Sequence, residues 1–182
     1  MANRAYLFCS DGDPNDPQTW ANLDKNKQHY YDSRHNIPLS WFFFFQPHDV
    51  KLVDVFFANG YLKAVDYWQE PKFMADKQKA LEVFEQNEAL LAQIVGPGLY
   101  SAAFARFLPS LQRMPGDCLC MDPAEIAQGD EEDYLPLKEI VELISNKDTP
   151  VQALREALNR FSMLTYKDEN DASRNVIGCT YW

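Results

Sequence analysis

The run Ile37 to Phe45, IPLSWFFFF, constrains this chain more than any other stretch, because Trp41 is followed by four consecutive phenylalanines. Aromatic side chains carry the largest apolar areas of any residues, so any stable fold has to take this run out of water. The run is nine residues long and ends at Gln46-Pro47. That is far short of the roughly 18 uncharged apolar residues a bilayer span needs, so it reads as buried core. Periodicity cannot separate a helix from a buried strand in so short a run. Pro38 suits the first helical position and Pro47 a stop, which favours a helix.

A core able to absorb that run is available, since 46% of the 182 residues are hydrophobic and 14% aromatic. This excludes a disordered chain, and the length suits one domain over residues 1–182. Residues 4–9 (RAYLFC) read as a strand before a turn cluster, SDGDPNDP. Residues 22–36 are polar without a clear period. Residues 50–57 read as a strand, with Asn59-Gly60 turning into a second strand over YLKAVDYW. The stripe Leu81, Phe84, Leu91 and Ile94 predicts a helix over 75–95, broken by Gly96-Pro97-Gly98. A second helix is expected from Leu99 to Arg113, bent or shortened by Pro109. DCLCM (117–121) reads as a strand and 129–133 as a charged loop. Pro136 then opens a helix with Leu137, Ile140, Val141 and Ile144 inward. Thr149-Pro150-Val151-Gln152 has the form of a capping box before the stripe Val151, Leu154, Leu158 and Phe161. VIGCTYW (176–182) reads as a closing strand. The expectation is an α+β domain: a small, mostly antiparallel sheet packed with about four to five helices.

Charge narrows the function. With 17 Lys+Arg against 27 Asp+Glu, the net charge is −10. Such a surface repels phosphate backbones and anionic membranes, so neither nucleic acid nor membrane is an expected partner. It suits solubility, and equally a cationic protein partner. Residues 1–10 lack the layout of a secretory signal, and the expected location is the cytoplasm. Cys9, Cys118, Cys120 and Cys179 are too sparse for a disulfide scaffold and are expected as reduced thiols.

Catalytic patterns are not found. Asp11, Asp13 and Asn15 start like a calcium loop, but Asp16 stands where Gly is needed and Asn22 where the bidentate Glu belongs. Cys118-x-Cys120 lacks the paired spacing of a zinc site. The sequence has no G-x-S-x-G elbow, no H-E-x-x-H and no glycine-rich phosphate loop. No enzyme activity, cofactor or metal is therefore expected. The alternative is a small enzyme whose site gathers His29, His35, His48 and the acids at 130–133, or a homo-oligomeric scaffold.

The candidate partner-binding residues are Asp130, Glu131, Glu132, Asp133 and Tyr134. Four consecutive acids offer negative charge to a basic site, and Tyr134 beside them is the candidate exposed anchor. Trp20, Tyr30, Tyr31, Trp41, Tyr61, Tyr67, Trp68, Tyr181 and Trp182 divide between core and surface.

Asn3-Arg4-Ala5-Tyr6-Leu7, Tyr31-Asp32-Ser33-Arg34 and Ile37-Pro38-Leu39-Ser40-Trp41 resemble the opening of small acidic bacterial proteins of the immunity type. Those accompany polymorphic toxins or secreted antibacterial effectors. The resemblance covers the first quarter of the chain and transfers no binding residue. It implies a protein that binds a cognate toxin and occludes its active site; the net charge of −10 and the acidic run, read beside it, suit a toxin with a basic active-site groove.

Overall fold

The computed structural model describes residues 4–13, 30–58, 65–123, 126, 131–165, 177 and 179–181, with backbone alone at 54–58, 65–68, 131–133, 165 and 179–181. Among the described residues, eight strands and five helices follow in the order β1 (Arg4–Ser10), β2 (Tyr30–Arg34), β3 (Ile37–Pro38), α1 (Leu39–Phe42), a 3-10 turn (Pro47–Asp49), β4 (Val50–Ala58), β5 (Val65–Asp76), α2 (Lys77–Val95), α3 (Pro97–Arg113), β6 (Cys118–Asp122), α4 (Glu131–Ser145), α5 (Val151–Leu158), β7 (Leu164–Thr165) and β8 (Cys179–Tyr181). Six strands make one sheet in the order β4-β5-β6-β1-β2-β8, and every neighbouring pair in it is antiparallel. β3 and β7 form a separate two-residue parallel pair. The expected α+β class, with an antiparallel sheet and helices packed on it, is what the chain adopts.

Alternation along β1 sorts the two faces of the sheet. Ala5, Leu7 and Cys9 join Phe73, Ala75, Leu119 and Met121 in the main core, where the helices pack. Phe8 on the opposite face clusters with Met74, Cys118 and Cys120.

The aromatic run is entirely buried, from Ile37 to Phe45. Its local form is mixed, because Ile37 and Pro38 pair with β7 and only Leu39–Phe42 are helical. Pro38 caps that helix instead of opening it, and Pro47 opens the 3-10 turn. Phe44 stacks on Phe84 of α2 at 4.5 Å between centroids, and Phe107 of α3 meets Phe44 edge-on at 6.1 Å. Phe42 and Phe45 both meet Phe73 of β5 edge-on, at 5.6 and 5.3 Å. One short segment thus ties the sheet to both long helices, with offset and edge geometries that add to area burial.

The long helices follow their stripes. α2 begins at Asp76, whose carboxylate accepts the Lys79 N–H at 3.0 Å. It buries Phe84, Leu91 and Ile94, and it stops at Gly96, where φ is 95°. α3 is not shortened by Pro109 but runs on to Arg113, because buried Phe107, Ser110 and Leu111 hold both sides of the proline. Basic side chains satisfy the helix ends from neighbouring elements. Lys77 donates to the carbonyls of Gln112 (2.9 Å) and Met114 (2.5 Å), and Arg155 donates to those of Gln93 and Ile94.

Three expectations need correction. β2 forms inside a stretch without alternation, because it pairs with β1 on one side and β8 on the other. Residues 131–133 open α4 instead of lying in a loop, and Pro136 falls in its second turn. Acids at a helix start are stabilised by the positive end of the helix dipole, and the N–H that Pro136 lacks would reach only the first-turn carbonyl of Glu132. The capping box before α5 does not form. Pro150 is the N-cap, no side chain caps the helix, and the Gln152 amide donates to Glu156 at 2.8 Å. The Asn59-Gly60 turn lies outside the described residues.

Candidate partner-binding site

α4 is anchored along one stripe. Leu137, Ile140, Val141 and Ile144 are buried and fix the helix against the core. That anchoring sets its first turn, with the backbone of Glu131, Glu132 and Asp133, near the start of β4. Asp130 lies outside the described residues. Tyr134 does not project as an anchor. It is half-buried against the core, and its hydroxyl donates to the Val50 carbonyl over a long 3.4 Å. The exposed apolar side chain is its neighbour Leu135, 59% exposed, and no other large hydrophobic stands out among the described residues. Three acids and a leucine therefore share one helix start, with Tyr134 pinning it from below. Farther along, Lys138 lies 3.9 Å from Glu142 and Arg160 pairs with Glu139. Both pairs are exposed and contribute little to stability.

Of the residues of the enzyme alternative, His48 lies in the turn that the acidic helix start packs near, and His35 lies in a different turn. His29 lies outside the described residues. His35 sits in the turn after β2 with φ 67°, and His48 in the 3-10 turn. His48 and Asp49 do border a cleft of about 380 Å³ with Lys51, Asp76, Lys79 and Glu82. Burial raises the Asp49 carboxyl above its usual value, against the opposing pull of the Gln46 N–H, His48, Lys51 and Lys79. Its Oδ2 accepts the Gln46 N–H at 2.8 Å, while Oδ1 lies 3.5 Å from His48 Nε2. The carboxylate is thus occupied in capping the turn, and the His48 side chain is 75% exposed. That is a turn device more than a poised acid–base pair.

The thiols are no better placed for chemistry. Burial, with the nearby Cys118 and against Lys77, pushes Cys9 up to about 11. Burial and the acids Asp76, Asp117, Asp13 and Asp11 push Cys118 up to about 11. A thiol that holds its proton at neutral pH is a weak nucleophile. Asp11 and Asp13 are exposed, and Asn15 lies outside the described residues. Among the described residues no three His, Cys, Asp or Glu side chains gather as they would around a metal ion.

One charged cluster has no counterpart in the sequence reading. Pairing registers align Lys51, Lys72, Asp122, Tyr6 and Asp32 in a single row across β4, β5, β6, β1 and β2. Lys72 directly opposes Asp122, by extension of the β5–β6 register, and its ammonium reaches Asp122 (2.7 Å) and Glu70 (2.8 Å). Arg4 reaches Asp32 at 2.8 Å in the same row. The cluster rigidifies the sheet face away from the helices. No local pattern marks it, since it exists only once β5 and β6 are in register.

The segments carrying the family resemblance become β1, β2 and the β3–α1 joint, with Ala5 opposite Ser33 and Tyr6 opposite Asp32. Their side chains are mostly buried, so they build the fold more than a contact surface. No helix among the described residues is long and apolar enough to cross a membrane. Compared with known protein families, curated proteins and solved structures, the chain matches none.

Proposed function

We propose that this chain is an immunity-type protein that binds a cognate antibacterial toxin in the cytoplasm and occludes its active site, using the first turn of α4. The observation carrying this reading is Leu135, 59% exposed beside the consecutive acids Glu131, Glu132 and Asp133. A leucine projecting from a helix held by four buried residues costs little further ordering on binding. The acids around it steer toward a basic groove, and the net charge of −10 extends the same field over the molecule. The partner this fits is a protein with a cationic cleft and an apolar floor.

The test is co-expression with the toxin gene that neighbours this one, together with capture of the tagged chain from its host. Rescue of growth and a stable complex are expected. Growth arrest unrelieved by the chain, with no toxin captured, would discard the proposal.

A further inference from the structure

We infer that the outer stripe of α3 is a binding site for a small organic acid, distinct from the α4 surface. Ala102, Ala105, Arg106, Pro109 and Arg113 recur at spacings that place them on one side of the helix, and they border a cleft of about 710 Å³. Tyr31, Phe107 and Ser110, all buried, supply its inner wall. This volume falls within the range of small-molecule sites.

Three observations point to an anion with an apolar body. First, the chain carries a net charge of −10, yet the described lining holds two arginines and no carboxylate. Among the described residues no acid pairs with either guanidinium. Arg113 donates its Nε to the Pro109 carbonyl at 3.1 Å, which fixes its stem along the helix and leaves both terminal nitrogens to fork a carboxylate. Second, Ser110 is 9% exposed, and its Oγ lies beside the Tyr31 hydroxyl without closing a hydrogen bond of good geometry. The two hydroxyls together give the inner wall a polar point where a ligand oxygen can bond. Third, Tyr31 and Phe107 meet edge-on at 4.8 Å, an aromatic wall suited to an apolar ligand body. Burial raises the Tyr31 phenol, against the pull of Ser110 and Arg113, so it stays a neutral donor. Arg106 and Arg113 are two helical turns apart, about 10 Å along the axis, which favours an elongated acid over a compact ion such as phosphate.

The test titrates the whole chain with naphthalene-2-carboxylate, its neutral carboxamide, and inorganic phosphate, following melting temperature and the methyl NMR signals of Ala102 and Ala105. Saturable carboxylate binding is expected, about tenfold tighter than the carboxamide and tighter than phosphate. Arg106→Gln and Arg113→Gln, both at exposed positions, are each expected to weaken it, and the double variant to abolish it while still melting cooperatively. Equal binding of the carboxamide, retention by the double variant, or no saturable carboxylate binding would each overturn the assignment. So would methyl shifts confined to the cleft beside His48.

Discussion

The ammonium of Lys72 lies 2.7 Å from Oδ1 of Asp122, and the two side chains are only 4% and 7% exposed. Burial alone would lower the lysine pKa, but Asp122 and Glu70 together raise it above the ordinary 10.5. Lys72→Met leaves two carboxylates without their cation, and the expected loss is about 3–5 kcal/mol in urea unfolding. Lys72→Met/Asp122→Leu should recover much of that loss, since an apolar replacement of a buried pair is often neutral. A raised lysine pKa contributes stability that is fully present below pH 10.5 and lost as pH rises through the folded value. The wild-type protein should therefore lose stability above pH 10.5 more steeply than Lys72→Met. Parallel curves would show that the ion pair does not set that limb.

Asp32 has the same linkage sign in a lower pH window, with burial instead of an ion pair as its cause. Burial raises its carboxyl above 3.8 despite Arg4, which bonds it at 2.8 Å, and Arg34. The native state then holds the proton more tightly than the unfolded chain, so stability falls as pH rises from 3.8 through the folded value. In Asp32→Asn that fall disappears. Stability measured at intervals between pH 3 and 7 should show the wild type losing ground to Asp32→Asn with rising pH. A difference that widens in the wild type's favour would mean that Arg4 outweighs burial.

Gly116 should tolerate no side chain. Its φ is 109°, and a Cβ there would stand 2.7 Å from the Ser10 backbone nitrogen. Gly116→Ala meets both backbone strain and a clash against β1, so it should cost about 2–4 kcal/mol in unfolding free energy. Gly98 has open space and no such φ. Gly98→Ala, at a helical position, should leave the midpoint unchanged or raise it slightly, which makes it the contrasting control.

At the α4 surface, binding and stability should separate. Leu135→Ala removes an exposed side chain and should change stability by less than about 0.5 kcal/mol, while weakening capture of the partner. Charge reversal at Glu131, Glu132 and Asp133 should slow association more than it speeds dissociation, with an effect that shrinks as salt is raised. Unchanged association rates would remove the steering role.

The long helices were legible because a 3.6-residue stripe is local: Phe84, Leu91 and Ile94 mark α2 without reference to anything else. The fate of the Trp41–Phe45 run was equally plain, because no fold leaves it wet. β2 was not legible, since Tyr31 and Asp32 are both buried on a strand paired on two sides, which erases alternation. The acids at 131–133 read as a loop because a helix start and a solvated turn favour the same residues. At the candidate site, charge was visible and exposure was not: Tyr134 and Leu135 are adjacent, and only the rotation of α4 decides which one faces outward.

β1 is an inner strand whose neighbours come from residues 30–34 and 118–122. During synthesis at about 5–20 residues per second, it therefore waits roughly 5–20 s for its β6 partner to leave the ribosome. Through that interval Leu7 and Phe8 have no completed sheet to enter. The nascent chain is correspondingly a client for chaperones that hold apolar strands, and slowing translation before residue 118 should lengthen its period of greatest aggregation risk.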